Sequence, residues 1–270
     1  GVGIEATSFR HGLVHDTLLE LDVLLPSGEV LRCTPDNPHR DLFFGFPNSY
    51  GTLGYALRLR LRTQPVKRCV MVEHRHFQLA QRFFEAIAAE YDGDADFVDG
   101  VVFSGRQLVL SVARFRDDPP AAVSDYSFEQ IYYRSLLQRQ HDVLTTRGYL
   151  WRWDTDWFWC SKNVLAQQWF FRKFLYGKKW LGSRHYTKIM RWNSRLGITR
   201  KVERALGLHS ESVIQDVDIP IARAAEFLHF YAREIGLWPL WICPIGPAPE
   251  GGRFTLYPLR EGWYVNFGFW

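Results

Sequence analysis

The opening twelve residues, Gly1-Val-Gly-Ile-Glu-Ala-Thr-Ser-Phe-Arg-His-Gly12, constrain the fold most. Three glycines, two hydroxyl residues and one acid fall within them. Glycine lets a backbone turn tightly and approach a ligand closely, and successive N–H groups in such turns form an anion-binding nest. Asn48-Ser-Tyr-Gly-Thr-Leu-Gly54 has the same character. It runs into Tyr55–Arg62, whose alternation predicts a strand with Leu57, Leu59 and Leu61 on one face. Between the two stretches, Leu18 to Thr34 predicts a hairpin turning at Pro26-Ser27-Gly28. Taken alone, each glycine run is equally readable as a surface turn.

The 270 residues suffice for one large core or two smaller ones, and their apolar and charged fractions are those of a soluble globular protein. No run reaches the ~18 apolar residues of a spanning helix, and no signal peptide opens the chain. The chain begins without Met inside a loop-like stretch and ends on an apolar strand, Gly262–Trp270, so a piece of a longer protein is expected. Four widely spaced cysteines, Cys33, Cys69, Cys160 and Cys243, argue against zinc or dithiol chemistry and for buried thiols in a reducing compartment.

Beyond Pro65 the pattern changes. A strand (70–77), a helix (78–91, with Leu79, Phe83, Ile87 and Tyr91 on one face) and strands at 96–103 and 107–115 make β-α-β-β. The order returns near the end. A strand (213–219) and a helix opened by Pro220, with Ile221, Ala224, Leu228, Tyr231 and Ile235 on one face, lead to strands at 240–245, 254–259 and 264–270. Two such halves predict an α+β layer, one antiparallel sheet with helices on one face.

Between the halves lies an insertion, about 116–212, with helical spacing over Glu129–Arg147. Seven of the eleven Trp fall between Trp151 and Trp192, and Trp169 to Val202 holds ten Lys or Arg and no acid. With a net charge of only +4, the basicity is local and points to a surface partner. Three readings stand: a cap with a solvated basic face, an interfacial membrane surface over 149–204, and nucleic acid stacking on aromatics. No nucleic-acid fold signature accompanies the segment, so bilayer contact is preferred, with the plain cap close behind.

Gly1-x-Gly3-Ile4-Glu5, Ser8-x-x-x-Gly12, the hairpin at Pro26-Ser27-Gly28, Asp41-Leu42-Phe43 and Gly51-Thr52-Leu53-Gly54 follow in an order that resembles the second half of the FAD domain of vanillyl-alcohol-oxidase (PCMH-type) flavoproteins. The resemblance is nearest to the Δ24-sterol reductase branch and continues through Trp151-Arg152 and Pro239–Pro244. It implies a partial FAD-binding part over 1–66 and a substrate or cap domain over 67–270, with the duplicated sheet over the flavin. It assigns FAD contact to Gly1, Val2, Gly3, Ile4, Glu5, Ala6, Thr7, Ser8 and Gly12, continued by Gly51, Thr52, Leu53, Gly54 and Tyr55. Relatives often place His or another polar residue where Glu5 stands. The implied activity is reduction of a C=C bond in a sterol-like or other lipid, with NADPH reducing FAD. The alternatives are an alcohol oxidase or dehydrogenase and a flavin-less lipid- or membrane-binding module. The implied location is the cytoplasm or the cytoplasmic side of a membrane.

The resemblance also requires an acid or base over the flavin. Arg152 and Asp154 are named from the Trp151-Arg152 match, and Tyr257 as a tyrosine on an expected strand; each is also readable as a structural hydrogen-bonding group. His11 and His15 have H-x-x-x-H spacing, but Gly12 between them argues against the helix that a metal pair needs. His74 and His76 share a strand face and read as a solvated or capped pair. No nucleophile-elbow motif supports hydrolysis.

Overall fold

The structure is a computed structural model that describes residues 3–118, 122–207, 214–247, 254–257 and 262–269. Its strands are β1 Leu18–Leu24, β2 Val30–Cys33, β3 Tyr55–Leu61, β4 Cys69–Phe77, β5 Phe97–Ser104, β6 Gln107–Arg116, β7 His141–Thr145, β8 Gln215–Pro220, β9 Leu240–Ile245 and β10 Tyr264–Phe269. Its helices are α1 Ser8–His11, α2 Arg40–Gly45, α3 Ala80–Ala89, α4 Tyr132–Ser135, α5 Thr146–Leu150, α6 Gly177–Trp180, α7 Ser183–Leu196, α8 Ile198–Ala205 and α9 Ala224–Glu234. Two compact units result. The first takes Gly1–Pro65, Phe77–Leu110 and Asp216–Gly268; the second takes Val66–His76, Ser111–Gln215 and Phe269–Trp270. The glycine-rich first 65 residues thus share a unit with α3, β5, α9 and β9, whereas all but the last residue of β4 and the later part of β6 fall in the second unit.

In the first unit, β2-β1-β3 form an antiparallel sheet. The hairpin closes where expected, with Leu25 N–H donating to Glu29 O (2.8 Å) and Gly28 at φ 87°. Leu21 and Val23 alternate inward and pack with Cys33, Phe43 and Phe254. On the opposite face, buried Glu20 is held by Arg32 and by Arg58 Nη2 (2.6 Å), whose Nε also reaches Asp22 (2.8 Å). Leu57, Leu59 and Leu61 do alternate along β3, but all three are exposed.

The unit's second sheet runs β5-β9-β10-β8, beside the start of β6. Phe84 of α3 and Phe227 of α9 both meet Phe267 of β10, at 5.8 and 4.8 Å between centroids, so both helices cover one face. Gly100 sits under α3 because a Cβ there would meet Phe83 Cζ at 2.8 Å. Antiparallel sheets with helices on one face bear out the α+β class.

Three expectations are corrected. Leu79 is the exposed residue before α3, and Tyr91 lies past its end, in the turn Glu90–Asp92. Phe254–Tyr257 is a turn, closed by Tyr257 N–H to Phe254 O (3.2 Å), because Phe254 leaves the sheet to enter the Leu21 core; the rest of the expected strand lies outside the described residues. The helical spacing of Glu129–Arg147 yields α4, β7 and the start of α5, since β7 pairs antiparallel with β4 (Val70↔Leu144, Val72↔Asp142). Sheet pairing outweighs helical periodicity here.

In the second unit, β7-β4 continues to the later part of β6. Its core is aromatic: Tyr126, Tyr132, Tyr149, Trp153, Trp157 and Trp159 are all buried. Arg172, from the basic run, is buried too. Its guanidinium donates to the carbonyls of Phe128, Thr155 and Ala166 and to Thr155 Oγ1.

Backbone strain separates two glycines of the second glycine stretch. Gly54 has φ 134° and a Cβ there would overlap Leu24 O, whereas Gly51 has φ 80° and open space around its missing Cβ. Gly54→Ala is therefore expected to cost about 3 kcal/mol and Gly51→Ala about 1 kcal/mol, measured by urea denaturation of each variant; equal losses would contradict the close approach of β1 to Gly54.

Candidate functional site

Gly1 and Val2 lie outside the described residues. From Gly3 (φ 71°) the chain makes a loop and the single helical turn α1, ending at Gly12 (φ 72°). The loop closes on itself through Glu5 N–H to Ser8 Oγ (3.0 Å) and Ser8 N–H to Glu5 O (2.8 Å). It is also tied to the second sheet of its unit. Val98 N–H donates to Ala6 O (2.8 Å), Gly246 N–H to Ser8 O (3.0 Å) and Cys243 Sγ–H to Glu5 O (3.0 Å). Thr7 O accepts from Arg10 and His11, and Ile4 is half-buried. In the second stretch, Thr52 Oγ1 donates to Ser49 O (2.6 Å), Leu53 and Tyr55 are exposed, and Gly54 begins β3's approach to β1.

Phe267 marks the helix-covered face of the sheet, so Asn266 points to the other face. Cys243 pairs with Asn266, and Trp241 with Gly268 and Val101, which places them on the face free of the covering helices α3 and α9. Asp99 joins them, since Trp241 Nε1 donates to Asp99 Oδ2 (3.4 Å). Asn266 Nδ2 donates to Asp218 Oδ1 (2.9 Å) on β8. A polar row, Asp99, Cys243, Asn266 and Asp218, therefore crosses four strands beside the loop at Glu5. Asp99, Cys243 and Asn266 are buried. Burial holds the Asp218 carboxyl above the usual carboxylate range, with the charge of Asp216 adding to it and the Asn266 bond opposing it. The sequence reading missed this row. Its signal was a lone polar residue inside each of two apolar strands, Asp99 in FVDGVVFS and Asn266 in YVNFGFW.

The three acid or base candidates part company. Arg152 is buried in the second unit, its Cζ 4.0 Å from the Tyr149 ring centroid and 5.3 Å from that of Tyr132, and its Nη1 donates to Tyr149 O (3.0 Å). Asp154 accepts from Ser183 Oγ (2.6 Å) and Ser183 N–H (3.3 Å), which caps α7. Tyr257 stands in the first unit against the ring of His15 (5.8 Å). Both Arg152 and Asp154 thus have structural work within their own unit. Asp154 also lines a cleft of about 660 Å³ with Trp151, Arg147, Lys178, Lys179 and Arg184.

His11 ends α1 and His15 lies past Gly12 in the turn Val14–Thr17. Burial lowers the His15 pKa against the opposing charge of Asp16, whose own carboxyl is raised by burial. His74 is not solvated: it is 2% exposed, and its Nδ1 bonds Ser111 Oγ (2.9 Å). His76 on the same strand is exposed.

No protein-family model matches the chain. It is 26% identical over 295 residues to the Delta(24)-sterol reductase of Pisum sativum and 29% identical over 290 residues to that of Arabidopsis thaliana. These alignments take in 100% and 98% of this chain, and 49% and 50% of the relatives. Cytokinin dehydrogenase 5 of Oryza sativa subsp. japonica is 31% identical over 114 residues, 40% of this chain and 21% of that protein. The chain spans about half the length of the curated sterol reductases it matches.

Asp156 follows Asp154 on the same segment and is fully buried. Burial raises its pKa to about 7; approaching N–H groups of Trp159, Tyr133 and Phe158 and the charge of Arg172 oppose the rise without cancelling it. The folded state therefore favours the protonated acid. Its stabilising contribution is complete below the ordinary carboxylate range and is lost as pH rises through about 7. Between pH 4 and pH 8 the loss is on the order of 4 kcal/mol. Asp156→Asn should remove that part of the slope, read as the difference between wild-type and variant urea midpoints across this range; parallel profiles would contradict a buried, protonated Asp156.

Proposed function

We propose that this chain is part of an FAD-dependent oxidoreductase that reduces a C=C bond of a sterol-like lipid, with NADPH as the electron donor. The observation that carries the reading is similarity to Delta(24)-sterol reductases along 98–100% of the chain. The geometry supports it: the glycine loop that resembles a flavin loop is bonded to β5 and to the end of β9, with the Cys243 thiol of the face opposite α3 and α9 on its Glu5 carbonyl. In this reading residues 1–66 are the second part of a PCMH-type FAD domain, and 67–270 form the substrate and cap region. The shorter likeness to a cytokinin dehydrogenase favours, as a second reading, flavin-linked oxidation.

The residues present fit such a cofactor. Gly3, Gly12, Gly51 and Gly54 all have positive φ, which gives turns with closely spaced backbone N–H groups. At Gly3 and Gly12 the missing Cβ makes room for Val14 and Asp16 of the protein itself, whereas Gly51 opens onto free space where a ligand can approach. Residues 3–8 and 12, with 51–55, would hold FAD largely through backbone groups. When bound, the flavin supplies hydride transfer. The chain's own part is to fix the loop against β5 and β9, to place polar groups of the face opposite α3 and α9 toward the substrate, and to deliver a proton.

A lipid substrate needs a route from a bilayer, and the second unit offers a surface for it. Trp153, Trp157 and Trp159 are buried in the unit's core, but Trp169, Phe170, Phe174, Leu175, Trp180 and Trp192 are all at least half exposed. They are interleaved with Lys173, Lys178, Lys179, Lys188 and Arg191 in a stretch that has no acid. On α7, Tyr186, Ile189, Met190 and Leu196 form one stripe, and Arg184, Lys188, Arg191 and Arg195 another. Exposed aromatics beside cations match the headgroup zone of an anionic bilayer. Among the described residues no helix is long and apolar enough to cross a membrane.

Two measurements follow. With the full-length gene product kept without oxygen, NADPH should bleach the flavin absorbance and a Δ24-unsaturated sterol should restore it; a flavin unmoved by NADPH but bleached by an alcohol or amine would favour the oxidative reading. In vesicle sedimentation, charge reversal at Lys178, Lys179, Lys188 and Arg191 should weaken partition onto anionic vesicles several-fold per charge, from about 1 kcal/mol each. Unchanged partition would remove the membrane role of this face.

A further inference from the structure

We propose that the polar row on the face opposite α3 and α9 is the catalytic end of the substrate site, and that Asp218 is the acid that protonates the substrate carbon. The proposal rests on the reductase reading above and names the residue that completes it. Three observations converge on it. The row lies beside the loop expected to carry the flavin, through the Cys243 thiol on Glu5 O (3.0 Å) and the pairing of Cys243 with Asn266. Asn266 is wholly buried, its Nδ2 is committed to Asp218, and its Oδ1 has no hydrogen-bond partner. Such an acceptor is costly to bury unless a ligand or a protonated neighbour supplies a donor. The groups facing Asp218 are Asn266 across on β10 and Asp216 two residues away on its own strand, both carboxyls being raised by burial. Two carboxyls around one amide favour keeping a proton on the pair.

The chemistry balances. Reduction of the alkene breaks its π bond. A bound reduced flavin would supply hydride, with its electron pair, to one carbon, and the Asp218 carboxyl gives its proton to the other. Asp218 is then ionised and regains a proton from solvent, while NADPH would supply the hydride that returns the cofactor to its reduced state. Asn266 holds the carboxyl in place through Nδ2, which makes Asn266 a positioning residue. Among the first unit's strand residues, this acid is favoured over Asp99 because Asp99 already accepts from the Trp241 indole.

The test isolates the second half-reaction. The full-length gene product, loaded with FAD, is reduced by dithionite, so the donor plays no part, and mixed with a Δ24-unsaturated sterol without oxygen. Wild-type flavin should be reoxidised, more slowly as pH rises through the raised Asp218 pKa. Asp218→Asn should slow this step by 10²-fold or more and flatten its pH dependence, while flavin content and bleaching by NADPH stay near wild type. Asp218→Glu, which keeps the acid, should recover part of the rate. Reoxidation of Asp218→Asn at the wild-type rate, or a retained pH profile, would overturn the assignment and leave the reductase reading standing. Wild-type reduced flavin that no sterol reoxidises would overturn both. If Asp218→Asn loses its flavin or its fold, Asp218→Ser decides: a folded, flavin-loaded variant that keeps the wild-type rate and pH profile counts against the proposal.

Discussion

Three short hydrogen bonds, from Val98, Gly246 and Cys243 to the carbonyls of Ala6, Ser8 and Glu5, hold the opening loop on the edge of a four-stranded segment of sheet. Much else in the first unit follows from them. Two of them, from Gly246 and Cys243, join residues nearly the whole chain apart, so the loop's place depends on the strands near the far end of the chain. They also explain Gly246, where a Cβ would overlap Phe9 O and press on Trp263. The thiol at Cys243 is small enough to sit under a backbone carbonyl and still donate, which a larger side chain could not do. Beyond it the same face carries the buried Trp241 indole, Asn266 amide and Asp99 carboxyl.

The second unit uses a different device. It has few strands, so its centre is built from packed aromatics around two buried guanidiniums, Arg152 against the rings of Tyr149 and Tyr132 and Arg172 on backbone carbonyls. Trp157 Nε1 donates to Leu181 O (2.6 Å) and Tyr133 OH to Gln167 Oε1 (2.5 Å), while Gln167 Nε2 donates to Trp159 O and Ser161 Oγ, so the polar edges of Trp157 and Tyr133 are paired. Trp157, Phe158 and Trp159 all adopt positive φ, between 48° and 61°. Bulky residues hold that backbone only when packing on all sides compels it. The same segment that fills this core supplies the Asp154 cap of α7 and leads into the exposed cations, so core and surface are encoded close together in the chain.

Residue roles differed most from the sequence reading where one motif served both purposes. The segment Trp151-Arg-Trp-Asp-Thr-Asp156 turns from surface to interior in one step: Trp151 is 61% exposed and Arg152 and Trp153 are buried. Arg152 packs on tyrosine rings, Asp154 caps a helix nearly thirty residues on, and Asp156 is sealed inside. Arg172 looks like one more cation of a basic run, yet it is a staple. Spacing cannot reveal this, because the carbonyls that Arg172 satisfies come from residues 128, 155 and 166.

The sequence by itself determined the hairpin at Pro26–Gly28, the strand at Tyr55, both helix-containing halves and the unusual charge of 169–202, because turn chemistry, period and composition are local properties. It also carried the family likeness, which lies in the order of short motifs. Tertiary structure decided the rest. It made β7 a strand, since pairing with β4 outweighed a helical period. It made Phe254–Tyr257 a turn, since Phe254 was needed in a distant core. It sorted the tryptophans into buried and exposed sets. And it brought Asp99, Cys243, Asn266 and Asp218 into one row, a result of strand register among four separate stretches, which no single stretch contains.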